Sequence, residues 1–480
     1  MQQLSGTDTT FLTVEQGNNY SHVGALGLYD PATAPGGKVR FKDILGHFDV
    51  RMHSNPFFRR RLVEPPLGID RPYWIDTADF DVEFHVRHIA LPQPGDWRQL
   101  MIQVARLHAR PLDRGRPLWE IYVIGGLDHI PGLPPGCFAL FYKMHHAAVD
   151  GMASLHVISQ MHAENPNPVT HREKPEAIIT DREPSLMEMG SRAIFNQGRR
   201  TAALSRLAAG SAFKLAKSAG DIAFGERHIG DLINNLAPAP KTHFSGKISP
   251  HRVAEGVGLP LAAFKALRGK VKGITINDIF LAVVSGAMRR YLLVHHELPD
   301  DSLVAMMPVS LRENASAGGN GVGVARTSLH TDIEDPLERL QACHDSATAQ
   351  KGEDSVLNNE MPVLTENLPG VLTGWLVNRM APSMNTVVSN VRGPAQAQYL
   401  AGAELQRLYP ISIPSDAIGI NHTAVSYAGH MWVGIVACRD MLPDPDFYAQ
   451  CIRDSFNELL QAAGIKPVHS PAFDNGASSD

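Results

Sequence analysis

At 480 residues the chain exceeds a single ordinary domain, and two domains of about 200 residues each are expected. With 44% hydrophobic and 19% charged residues and a net charge of −5, the composition is that of a globular protein and argues against a basic nucleic-acid binder. No run of about 18 apolar residues is present to span a membrane, and the four cysteines, Cys137, Cys343, Cys438 and Cys451, lie too far apart for a zinc site or a disulfide framework, which fits a reducing cytosol.

The opening MQQLSGTDTT lacks the basic segment and apolar core of a secretory signal. Residues 4–15 lead into a strand over 22–29. In 55–62, NPFFRRRL, three arginines (Arg59, Arg60, Arg61) stand beside two phenylalanines. The segment reads as a solvated turn with an anchored aromatic pair, or as a patch for anionic headgroups. Residues 80–91 alternate as a strand, with Phe80, Val82, Phe84 and Val86 on one face. A helix over 97–109 follows and stops before Pro111. Trp119, in PLDRGRPLWEIYVI, reads as a core anchor at the start of another strand.

The stretch 138–154, FALFYKMHHAAVDGMAS, organises the chain. Six of the seven residues from Phe138 to Met144 are apolar or aromatic, a run short enough for a strand. Alternation sends His145 and His146 to opposite faces. Asp150 is placed to cap a helix bearing Met152, Leu155, Ile158 and Met161 at helical spacing, and Gly151 permits the tight turn before it. A histidine at a strand end with a carboxylate four residues on reads as a general base, or as a capped helix with two incidental histidines.

Residues 165–184 are rich in proline and charge and read as a linker. Residues 185–224 predict one or two long amphipathic helices carrying Arg192, Arg199, Arg200, Arg206, Lys214 and Lys217. Such a basic helix lies on a membrane surface or bridges two domains, and its glycines weaken it. The second half opens at 243 with a short helix over 261–271. A further helix within 273–292 has Leu281, Val284, Met288 and Tyr291 on one face. Asn277, at its start, is a donor to a developing oxyanion or a helix cap. A strand over 303–309 leads to Arg312, and the glycine-rich 318–323 reads as a flexible connection. Ser389 and Asn390, within 385–394, face a channel or end a strand. Closing strands over 421–427 and 431–439, a helix over 445–462 and a frayed tail from 466 complete the chain. Despite 22 histidines there is no HExxH, and GxSxG and GxGxxG are absent as well.

Several of these segments carry a resemblance. His145 to Gly151, HHAAVDG, fits the HHxxxDG signature of the CoA-dependent acyltransferase superfamily. His22-Val23-Gly24, Pro117-Leu118-Trp119, Asn277-Asp278 and Ser389-Asn390-Val391 are similar, in the same order, to elements of its bacterial wax ester synthase/diacylglycerol acyltransferase family. So is the opening pattern of Asp8, Phe11 and Glu15. The resemblance implies an α/β fold of two chloramphenicol-acetyltransferase-like domains, mixed sheets with flanking helices, and a substrate channel between them. Residues 1–164 form the domain with the motif, 165–242 a linker with a helical crossover, 243–465 the second domain and 466–480 a flexible tail. It further implies that His146 is the base, beside His145, and that Asp150 is a structural acid paired with Arg312. Gly151, Ser389 and Asn390 would line the channel and Asn277 would donate to the oxyanion.

The implied reaction moves a long acyl chain from acyl-CoA, a substrate, to diacylglycerol or a long-chain alcohol, with no cofactor and no metal. A neutral imidazole, with an ordinary pKa of about 6.5, can take the hydroxyl proton near neutrality. The alkoxide-like oxygen then attacks the thioester directly, without an acyl-enzyme. Lipid substrates imply a cytoplasmic protein peripheral to the inner face of the plasma membrane or to a lipid droplet. The rival readings are a condensation-type enzyme that uses a carrier-protein thioester, and a non-catalytic lipid-binding protein.

Overall fold

The computed structural model describes residues 1–52, 55–77, 80–149, 151–167, 180–222, 237–310, 322–350, 366–368 and 370–468. Its organising strand is β7 (Phe138–His145), in which every residue is buried. A near-continuous apolar run of this length suits a strand covered on both faces. β2 (His22–Asp30) and β6 (Trp119–Gly125) flank it antiparallel, with His22 opposite His145 and Trp119 opposite Met144. The His22-Val23-Gly24 and Pro117-Leu118-Trp119 segments and the paired histidines therefore meet at one end of one sheet. Gly24 has a steric reason to be glycine, because a Cβ there would overlap the Tyr142 carbonyl.

β5 (Val86–Ala90) forms one edge of this six-stranded sheet. The other edge is built by β13 (Ala403–Ile411), antiparallel to β2, and β12 (Tyr399–Leu400) beyond it. A second six-stranded sheet runs in the order β10 (Val322–Ser328), β9 (Val304–Ser310), β11 (Thr386–Arg392), β14 (Ile420–Tyr427), β15 (His430–Cys438) and β8 (Arg252–Pro260). Its β9–β11 and β11–β14 pairs are parallel and the rest antiparallel. A small sheet of β1 (Gln2–Gln3), β4 (Tyr73–Asp76) and β3 (Arg60–Val63) lies beside them. Mixed sheets with flanking helices are the expected α/β architecture.

The division expected at 242/243 does not separate the sheets. β12 and β13 come from the second half of the chain and cover an edge of β2 that would otherwise present unpaired backbone groups. The core is shared to match: Tyr427, Trp432 and Val436 of the second sheet pack in one cluster with Trp97, Tyr142 and Tyr409. Trp97 Nε1 donates to Glu255 Oε1 at 2.5 Å across this seam. Burial nonetheless pushes the Glu255 carboxyl up to about 7.

Local elements follow the sequence with one correction. The strand expected over 80–91 is a short helix, Val82–His85, followed by β5. Asp81 accepts the Glu83 N–H, and this cap overrides the alternation. Over 185–224, where one or two helices are expected, a single helix runs from Leu186 to Ile222. At its Gly190 and Gly198 an added Cβ would meet nothing, so those glycines cost only intrinsic propensity. Elsewhere Trp97–His108 is a helix with an Asp96/Gln99 capping box, and Ile276–Val294 is one that buries Leu281, Val284, Met288 and Tyr291. Most of the expected linker (168–179), most of the 318–323 connection and the tail from 469 lie outside the described residues.

Candidate active site

β7 delivers two histidines into different surroundings. His145, its last residue, is buried and turns to Glu15, with Nε2 3.0 Å from Oε1. Its Nδ1 accepts the Ala147 N–H at 3.0 Å, which assigns the ring proton to Nε2, facing the carboxylate. The Glu15 carboxylate also accepts the Ser21 N–H at 2.7 Å and an Arg114 N–H at 2.8 Å. Burial pushes the Glu15 carboxyl up, but the His145, Arg114 and Ser21 donors outweigh it and hold the group below its ordinary value.

His146 follows β7. Its N–H donates to the Ser21 carbonyl at 2.8 Å, prolonging the β2–β7 pairing by one step. Its ring stacks on Phe11, with centroids 3.9 Å apart and planes 17° from parallel. The residue keeps some exposed surface, whereas its Nδ1 is buried. Burial, with the neighbouring His145, pulls its pKa down to about 4, so the ring is neutral and basic across the neutral range. Phe11 belongs to the helix Gly6–Thr13 and packs against a small apolar cluster that includes Leu4, Leu12, Leu118 and Ala147.

Lys143 and two further histidines lie beneath. His22 Nδ1 meets the His108 carbonyl at 3.3 Å, and His108 Nε2 meets the His22 carbonyl at 3.0 Å. The fully buried Lys143 donates to the carbonyls of Leu107 and Arg110, closing the C-terminal end of the helix Trp97–His108. Burial lowers its pKa to about 8.

Asp150 and Arg312 lie outside the described residues. Gly151 opens the helix Gly151–Gln160, which touches both β2 and β11 and so stands between the two sheets. Ser389 and Asn390 sit half-buried on β11. Asn390 donates its amide to Asn277 Oδ1 at 2.5 Å, so two of the candidates are brought together. Asn277 does not cap its helix, since Thr275 does so in a capping box with Asp278. Nor do Arg59, Arg60 and Arg61 form a bare anion patch. Arg59 and Arg60 pair with Asp76 at 3.6 and 3.1 Å, and Arg61 pairs with Glu183 at 2.8 Å. Trp119 is a core anchor whose Nε1 donates to the Phe58 carbonyl. Among the described residues no group of three or more His, Cys, Asp or Glu side chains is placed to hold a metal ion.

Sequence reasoning placed Glu15 only in the opening pattern and did not single out Arg114 or Lys143. The signal for Glu15 was its place in that pattern, just past the helix that carries Phe11.

Residues 4–280 match the wax ester synthase/diacylglycerol acyltransferase catalytic domain, and residues 318–460 match the C-terminal domain of the same family. A probable diacylglycerol O-acyltransferase of Mycobacterium tuberculosis is 32% identical over 97% of this chain and 100% of its own length. The O-acyltransferase WSD of Acinetobacter baylyi is 30% identical over 92% of this chain and 93% of its own. Among solved structures, the wax ester synthase/diacylglycerol acyltransferase of Marinobacter aquaeolei superimposes with a TM-score of 0.66. That protein is 27% identical, with 97% of this chain and 100% of the other covered.

Proposed function

The chain belongs to the wax ester synthase/diacylglycerol acyltransferase family and is an acyltransferase, and on that premise we propose that it esterifies diacylglycerol or a long-chain fatty alcohol from acyl-CoA with His146 as general base. The observation that carries this reading is the state of His146, a half-buried neutral imidazole just after β7 with its ring held flat against Phe11. In the proposed step the imidazole takes the acceptor hydroxyl proton while the alcohol oxygen attacks the thioester carbonyl. The tetrahedral oxyanion collapses, the C–S bond breaks, and the imidazolium returns its proton to the CoA thiolate. Burial makes a lone imidazolium costly, so it persists only beside the negative charge that forms with it. Asn277 is the proposed oxyanion donor: its bond with Asn390 uses the side-chain carbonyl and leaves the amide nitrogen to donate. No cofactor enters the proposed chemistry.

A base that only removes a hydroxyl proton does not read the rest of the alcohol, so selectivity falls to the apolar walls. One methylene changes binding there by only about 1–3 kcal/mol. Diolein and hexadecanol competing for one acyl-CoA should therefore both appear as esters in graded ratio, with short polar alcohols poor. Exclusive esterification of a short hydrophilic acceptor would contradict the proposal.

Substrates of this kind dissolve in membranes or droplets, which favours peripheral contact with a lipid surface on the cytoplasmic side. Among the described residues no helix is long and apolar enough to cross a membrane. The long helix instead exposes Leu186, Met187, Ile194 and Phe195, with Arg199 over the Phe195 ring. Contact through apolar side chains should survive salt of about 0.5 M, where attraction between charges is screened. Replacing Ile194 and Phe195 by serine should lower recovery with floated phosphatidylglycerol-containing vesicles. Unchanged recovery would remove this helix from the account.

A further inference from the structure

We propose that Glu15 is a positioning residue that sets His146 through two converging chains of polar contacts, one of hydrogen bonds and one that begins with a close His145–carboxylate contact, an inference that rests on His146 being the base. The first chain runs through Ser21. Glu15 Oε1 accepts the Ser21 N–H at 2.7 Å, and the Ser21 carbonyl accepts the N–H of His146 at 2.8 Å. The second runs through His145, whose Nε2 faces the same Oε1 at 3.0 Å and whose Nδ1 accepts the N–H of Ala147 at 3.0 Å. The backbone on both sides of His146 is thus tied to one carboxylate oxygen. Phe11, on the helix Gly6–Thr13 that precedes Glu15, stacks on the ring itself.

The tautomer of His145 is the link that needs a carboxylate. Nδ1 accepts from Ala147 only while the ring proton stays on Nε2, and an acceptor facing Nε2 favours that form. Without it the Nδ1–H form becomes accessible, and its proton would oppose the Ala147 N–H. The residue after His146 then loses its anchor. A displacement of about 1 Å at a catalytic group costs on the order of 10²-fold in rate. Arg114 binds the other oxygen, Oε2, at 2.8 Å and fixes the carboxylate from the far side. Its side chain is 39% exposed and also donates to the Leu12 carbonyl at 3.0 Å, so it stays solvated if the carboxylate is changed.

The test compares Glu15→Ala, Glu15→Gln and His146→Ala by steady-state kinetics, and by imidazole ¹⁵N NMR of His145 assigned through its loss in His145→Gln. Glu15→Ala should lower kcat about 10²-fold with KM for acyl-CoA nearly unchanged, and the His145 signals should leave the Nε2–H tautomer. Glu15→Gln keeps an acceptor at Oε1, so it should retain the tautomer and a kcat within about tenfold of wild type. Wild-type kcat in Glu15→Ala, an unchanged His145 tautomer there, or a Gln variant as slow as the Ala variant would each overturn the proposal. If Glu15→Ala does not fold, the Gln variant decides alone: retained tautomer and rate support the proposal, and their loss overturns it. Full activity in His146→Ala would sink the general-base reading, while the NMR readout would still report whether Glu15 governs His145.

Discussion

His146→Ala should lose about 10²–10⁴-fold in kcat while remaining folded, because a positioned base contributes that much and the residue keeps some surface exposure. Its ring packs on Phe11, so a modest loss of stability is expected with the loss of rate. His145→Ala should behave differently. Strand alternation separates the two histidines, and His145 faces Glu15. Removing it takes a close partner from the Glu15 carboxylate, so the melting temperature should fall and kcat should fall less than in His146→Ala. Melting curves and kcat measured on both variants separate the roles. Equal activity in the two, or a larger loss in His145→Ala, would reverse the assignment.

Acid should unfold the enzyme before it titrates His146. Burial holds His47 and His146 at about 4, and His108, His162 and His422 at about 3. In the unfolded chain each returns to about 6.5 and takes up a proton there. The folded pKa values are depressed, so the stability these groups contribute is complete above about pH 6.5 and is lost as pH falls toward the folded values. Each group costs up to about 1.4 kcal/mol per pH unit within that window. Five of them together rival a total stability of about 5–15 kcal/mol within one or two units. Glu255 acts in the opposite sense. Its carboxyl is raised to about 7, so its contribution is present below about 4.5 and is lost as pH rises through 7. One carboxyl does not offset five imidazoles at acid pH. Near-UV circular dichroism and activity should therefore fall together between about pH 6 and 5. Native spectra at pH 4.5 with undiminished denaturant resistance would contradict this.

The sequence made local structure legible where one interaction dominates. The apolar run of β7 could be little but a buried strand, and Asp96 with Gln99 marked the start of the helix Trp97–His108. What it hid depends on distant partners. Nothing local in 403–411 says that this strand pairs with β2 rather than with its own half, because an alternating strand fits the edge of either sheet. The three arginines after Phe58 look like a charged patch until Asp76 and Glu183 arrive from other segments. Over 80–86 a period-two pattern competed with the Asp81 cap, and the cap won. At the candidate site the motif histidines were legible in one dimension, whereas Glu15, Arg114 and Ser21 reach them only when β2 lies against β7.

Acyl transfer itself is tested most directly by counting free CoA thiol and ester product in the same reaction. The assay takes purified protein, oleoyl-CoA and either diolein or hexadecanol. One ester should form for each thiol released, and release should fall to background without an alcohol or in His146→Ala. Thiol release that persists without an acceptor, or ester formed by His146→Ala at the wild-type rate, would contradict acyl transfer at this histidine.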